Sequence, residues 1–508
     1  MSRGGLARAG LISLVGAVTG AGVNFGIGII VGRGLGTDGT GTFFQVIAVF
    51  IILANVLELG ADTGLVRFCS GSVATGRNGE LRPLVRTAIV PVVCVGAVLT
   101  AAAWMLTPQL AGFLSASPDV PTEQIVRMLV PFVVLASLLA VVLGATRGLG
   151  SVATFTVLQN VALPVGRFVL IGIALLAGAG LVDVLKAWIV PLPIVAVIAV
   201  AILARQLARR TRGRLEGVPE NHEATRVLRR RFWGFSSARG VSAAVEILLE
   251  WVDVLIVAAF LSPAEAGIYA VVSRSVRAGQ VVQQAARVAV APMVSAALAR
   301  NDVAEARRLF VVVTRAMVLM SWPFYLMLAC FAPGILSIFG PGFAQGSNAL
   351  TIMSLTMALA AAAGMVQTVL LMGGKSSWQL ADKSAALGVN VGLNVVLVPV
   401  WGVVGAAVAW AVTVAVDTSL AAWQVHKGMG VHVSPASLAL PAALPLLVFG
   451  AGGLALRAMV GDGLSGVVIM LLAGGVVYVC LCWMFRRRLG IDTIVSSLRR
   501  RRLSVPAS

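Results

Sequence analysis

Two neighbouring stretches of this 508-residue chain place charge inside apolar sequence. The first carries Arg239, Glu246, Glu250 and Asp253. At about 100° per residue these four fall within roughly 60° of one helix face. The second follows a tight turn near Leu261–Gly267 and carries Arg274, Arg277, Gln280, Gln284 and Arg287. Counting outward from the turn sets Asp253 level with Arg274, Glu250 with Arg277 and Arg239 roughly with Arg287. A charge in bilayer hydrocarbon is costly unless it is paired or faces a wet cavity. Both stripes are therefore expected to face the protein interior, each other and water.

Two chemistries fit these residues. Glu250–Arg277 and Asp253–Arg274 pairs would lock two helices together. Yet the arginines outnumber the carboxylates. Arg167 stands in another apolar run with no carboxylate beside it, and Arg33 lies at the end of the first run. A net cationic lining suits an anionic ligand, because guanidinium binds phosphate oxygens bidentately and stays charged when desolvated. The candidate substrate-binding set is Arg274, Arg277, Arg287, Arg239, Arg167 and Arg33. Glu246, Glu250, Asp253, Glu58 and Asp62 are candidates for ion pairing or cation coupling. Asn24, Asn55, Gln159, Asn160, Gln367, Asn390, Asn394 and Asp417 are expected to bond one helix to another.

Enzymatic chemistry finds no matching pattern. The chain has three histidines, none within an apolar run, and no HExxH, phosphate-binding loop or DxD loop. No cofactor and no metal site are expected. The five cysteines form no CxxC pair. Transport without an ATP site would be secondary or facilitated.

The elements that hold these residues follow from composition. Only 12% of residues are charged, about half the usual soluble share, and mean hydropathy is +0.97. The chain reads as an all-α polytopic membrane protein. Fourteen apolar runs are long enough for about 30 Å of hydrocarbon: near 10–32, 43–66, 84–106, 125–146, 153–177, 182–204, 233–261, 267–298, 309–332, 348–372, 383–400, 402–425, 437–458 and 464–485. The first is too long for a signal peptide and reads as a transmembrane helix. Residues 1–204 form a first lobe of six helices and 233–425 a second. A basic linker, 205–232, joins them, a helix pair occupies 426–485, and a basic tail fills 486–508.

The net charge of +19 would suggest nucleic acid in a soluble protein. Here the bases sit in short connections after even-numbered runs, so topology and anionic lipid account for them and nucleic acid is not expected. Connections after odd-numbered runs are poor in bases, which places both termini in the cytoplasm. The tail is expected to lay Ile491, Ile494, Val495 and Leu498 on the membrane surface.

An internal repeat ties the lobes together. At an offset of 226, residues 32–43 (GRGLGTDGTGTF) lie over 258–269 (AAFLSPAEAGIY), so that Gly41 meets Gly267 and Phe43 meets Tyr269. Ala187-Trp188 meets Ala409-Trp410 at 222. An even helix count per half makes the copies parallel. The final helix pair falls outside the repeat.

Several segments resemble the oligosaccharide flippases of the multidrug/oligosaccharidyl-lipid/polysaccharide exporter superfamily. They are Asp253–Ala270 followed by Arg274, Asn390–Ala407, the turn after Asn24, and Ile338–Ser347 (IFGPGFAQGS). The resemblance implies a flippase that moves a polyprenyl-diphosphate-linked oligosaccharide across the cytoplasmic membrane, for cell-surface polysaccharide biosynthesis. It implies alternating access of the lobes and partners among membrane lipids and polysaccharide assembly proteins. Two other implied activities stay open: a cation-coupled multidrug exporter, which usually has twelve helices, and a lipid II flippase. The terminal pair favours a lipid-linked cargo.

Overall fold

The computed structural model describes residues 3–112, 120–211, 222–300, 302–431 and 433–489. The middle of the basic linker and the tail with Ile491, Ile494, Val495 and Leu498 lie outside them. Among the described residues the structure is helical throughout, with no strand. Apolar sequence of this length has no other way to satisfy its backbone in lipid short of a closed barrel. The chain is a multi-pass membrane protein.

Two compact units divide the chain, Met1–Ala270 and Val271–Ser508. The first begins with α1 (Arg3–Leu57), which holds two of the apolar runs. It is broken at Gly36, whose φ of 66° and ψ of −169° no other residue adopts cheaply. α2 (Ala61–Ala74), α3 (Leu81–Met105) and α4 (Thr122–Gly148) follow. A π-helical turn, Thr156–Ala162, leads into α5 (Leu163–Leu176). Then come α6 (Leu181–Ile189), α7 (Pro191–Thr211) and α8 (His222–Phe260). α8 packs on α1 and α2, and α4 packs on α2, α3 and α7.

α9 (Pro263–Ala278) starts on a capping box written as Ser-Pro-Ala-Glu. The Ser262 Oγ accepts from the Glu265 backbone N–H at 3.2 Å and donates to Glu265 Oε2 at 3.1 Å. The helix carries the chain out of the first unit and ends at a tight turn. There the Gly279 N–H reaches the Val276 carbonyl, and the Gln280 N–H reaches that of Arg277.

In the second unit α10 (Val281–Ala299) and α11 (Val303–Cys330) pack together. α12 (Ser347–Ala362) lies on α11 and is bent by 46° from α13 (Val366–Met372). α14 (Ser376–Met429) packs on both and holds two runs, broken at Gly402 with φ 57°. The last two runs form the helices Ala436–Val460 and Leu464–Met484, each with a π-helical turn inside it, Leu446–Ala451 and Met470–Gly474. Phe310, Met317, Val369, Leu370 and Val425 fill the core where these helices meet.

Among the described residues nine helices, or ten with the bent pair, are long and apolar enough to cross a membrane. Fourteen runs were expected from sequence, and the difference has physical causes. α1 and α14 each hold two runs in one element. α8 carries three carboxylates in its apolar stretch, and the eighth run is split at Gly279. Leu176, Val98, Val197 and Val400 stand mostly exposed. That exposure is costly in water and costs nothing against acyl chains.

Candidate functional site

The charges of the first unit settle into three groups. On α8 both Nη atoms of Arg239 donate to Glu246, at 3.2 Å to each carboxylate oxygen. Two helical turns separate the partners, and both are exposed. The pair runs along one helix, from Arg239 to its own α8 carboxylate. Glu250 is exposed one turn further on, whereas Asp253 is buried. The Tyr269 hydroxyl, carried by α9, donates to Asp253 Oδ2 at 2.8 Å. The capping box fixes the start of α9 and so the height of Tyr269.

A second group stands where α2 meets α4. Glu58 lies in the break between α1 and α2, beside Leu59 at φ 52°. Asp62 opens α2, accepts from the Thr63 hydroxyl at 3.1 Å and lies 3.8 Å from Arg147 Nη2. Gly144 and Gly148 form a small-residue seam on α4 that lets its backbone touch α2. A Cβ on Gly144 would stand 2.8 Å from Asp62 Cα. That close approach carries Arg147 up to the two carboxylates. Its guanidinium also covers the Phe155 ring, 4.2 Å from the centroid. Sequence reading counted Arg147 among loop bases. The unmatched carboxylate pair Glu58 and Asp62 was the signal for it.

The third group is Arg167 on α5. Its guanidinium lies 3.8 Å from the centre of the Trp188 ring, and Nε donates to the Trp188 carbonyl at 3.0 Å. Phe50 meets the same indole edge-on at 5.2 Å. An aromatic face and a carbonyl thus stand where a carboxylate would otherwise be expected. Arg33 is exposed near the Gly36 break of α1.

In the second unit Arg274 and Arg277 are half-buried and one turn apart on α9. Arg287 is exposed on α10, beyond the Gly279 turn, so the expected continuous stripe is divided between two helices. Elsewhere in this unit Asp417 accepts from Lys383 Nζ at 2.7 Å and from Gln367 Nε2 at 3.0 Å. Asp382 accepts from Gln424 at 2.6 Å. The helix-bonding role expected of Gln367 and Asp417 is the one they take. Lys383, at the start of a run, reads from sequence as a loop base, and Asp382 beside it carried no signal of its own. A lone Asp417 in apolar sequence was the signal, since it requires a cation at its own depth. Among the described residues no cluster of three His, Cys, Asp or Glu is placed to hold a metal ion.

Two half-buried arginines one turn apart, Arg274 and Arg277, can hold a phosphorylated group without themselves reacting. The sequence profile of a family described as polysaccharide biosynthesis protein matches residues 6–298, more than half of the chain. The chain belongs to this family. No curated protein matches it in sequence. Solved structures share its fold. The lipid II flippase MurJ, in an inward-closed conformation, aligns with a TM-score of 0.68 at 10% identity, over 95% of this chain and 99% of that one. An inward-facing multidrug resistance MATE transporter of the MOP superfamily gives 0.63 at 14%, over 83% and 98%. An outward-facing one gives 0.58 at 16%, over 84% and 95%. These identities speak for the fold, which is that of the superfamily named from the sequence motifs.

Proposed function

We propose that this protein flips a polyprenyl-diphosphate-linked oligosaccharide across the cytoplasmic membrane by alternating access of its two six-helix lobes, with both termini in the cytoplasm. The observation that carries the reading is the pair Arg274 and Arg277, half-buried and one turn apart on α9, in a member of a polysaccharide biosynthesis family. Two guanidinium groups at that spacing match a diphosphate, and the polyprenyl tail stays in lipid. Arg287, Arg239, Arg167 and Arg33 would receive the head group along its way. Glu246 holds Arg239 and Asp62 holds Arg147, and these carboxylates with Glu58, Glu250 and Asp253 are the groups that would couple transport to a cation. Support for a lipid-linked cargo over a drug comes from the C-terminal helix pair. The flippase likeness spans 95% of the chain and the inward-facing drug-transporter likeness 83%, a difference about the size of that pair.

The test is flipping of a fluorescent polyprenyl-diphosphate oligosaccharide in proteoliposomes. Arg277→Ala is expected to lose most activity, Arg277→Lys to keep part of it, and Arg277→Glu to abolish it. A folded Arg277→Ala protein that flips at the wild-type rate would remove the basis of the reading.

A further inference from the structure

The two turns matched by the repeat pack against each other inside the first compact unit, and they do so reciprocally. A Cβ built on Gly41 would overlap the Pro263 carbonyl oxygen and stand 2.9 Å from Gly267 N. A Cβ built on Gly267 would overlap the Thr37 carbonyl oxygen and stand 2.8 Å from Gly41 N. Thr37 and Pro263 are mates at the offset of 226, as are Gly41 and Gly267. Each glycine therefore meets the mate of the residue that its own mate meets. Such exchange is the signature of an isologous contact about a two-fold axis, and Gly41 and Gly267 stand on that axis. Burial follows the same symmetry: Thr40 and Ala266, Thr42 and Ile268, Phe43 and Tyr269, and Phe44 and Ala270 are all buried. A chance match in low-complexity apolar sequence would not produce exchanged contacts and paired burial together.

Chemically the seam is bare backbone. At each of the two glycines the three nearest atoms that an added Cβ would meet are all backbone of the opposite turn. The same bareness makes the closed contact intolerant, because a carbonyl oxygen cannot rotate away from an added methyl as a side chain can.

We propose that the Gly41–Gly267 contact is the outer closure of the transport path, shut in this structure and opened once in each cycle. The inference rests on the flippase reading for what passes through and on the base-poor character of these turns for the outward side.

Spin labels at Asp38→Cys and Ala264→Cys, themselves mates flanking the seam, would measure it in the full chain in nanodiscs, with Cys94, Cys480 and Cys482 replaced by serine. The parent is expected to show a short distance, and a longer one that grows when lipid-linked oligosaccharide is added. Gly41→Ala and Gly267→Ala are each expected to make the longer distance dominant and to lose transport. A folded Gly41→Ala protein with the parent's distances and transport would overturn the proposal. Should the alanine variants not fold, the parent decides: a single short distance that persists while transport proceeds overturns it equally. Opening of the labelled parent with a drug cargo but not with the glycolipid would support the closure and retire the proposed substrate.

Discussion

Asp253 shows how a membrane interior disciplines a single charge. Its side chain is 2% exposed, and an uncompensated carboxylate there would be prohibitive. Tyr269 supplies a donor from the next helix. Tyr269→Phe should lower stability by about 1–3 kcal/mol, because a buried charged acceptor loses a bond. Asp253→Asn keeps an acceptor for the hydroxyl and should cost less. Thermal unfolding in detergent compares the two, and equal midpoints would contradict the account. Arg239 and Glu246 are the opposite case. An exposed pair contributes only about 0–1 kcal/mol, so Glu246→Gln should leave the midpoint nearly unmoved. A large fall in flipping with an unmoved midpoint would mark Glu246 as functional. The charges themselves were legible because apolar sequence tolerates so few. Their partners were not: Arg147 sits at the end of an apolar run and looks like any positive-inside base. Only the close packing of α4 on α2 shows which carboxylates it serves.

At the scale of the element, apolar length is legible because hydrocarbon thickness dictates it. Breaks inside the runs are harder, since each depends on one or two residues. The capping box at Ser262–Glu265 could be read directly, as Ser, Pro and Glu each have one favoured place at a helix start. Nothing in the sequence marks Leu59 for a positive φ, which lets α1 end and α2 begin within a single run. Gly279 likewise splits the eighth run and separates Arg287 from Arg274 and Arg277. Gly402 divides α14 with φ 57°. Replacing it with alanine puts a Cβ on a positive-φ, extended-ψ backbone (ψ −138°) that essentially only glycine occupies, at a cost of about 1–3 kcal/mol. Gly402→Ala should therefore lower the unfolding midpoint, whereas Gly388→Ala, within the helix and with open space around its Cα, should hold or raise it. A Gly402→Ala protein as stable as the parent would show that the turn tolerates a right-handed rearrangement.

On the proposed flippase reading, the decisive quantity for the whole molecule is the charge that would cross the membrane. A diphosphate carries about two negative charges, and each is worth about 2.3 kcal/mol per 100 mV. Export across an inside-negative membrane would then be driven by roughly 4–5 kcal/mol, enough for a concentration ratio above about a thousand. The structure offers carboxylates for a different drive, in the Glu58–Asp62–Arg147 group and in Asp382 and Asp417. The alternatives separate in proteoliposomes where a potassium diffusion potential is set independently of proton and sodium gradients. With the potential alone, glycolipid should accumulate on the positive side in proportion to the voltage, and Asp62→Asn should change the rate more than the final ratio. Accumulation that vanishes when the proton or sodium gradient is removed, with the voltage held, would move the drive to the carboxylates. It would leave the arginines the proposed role of binding the head group.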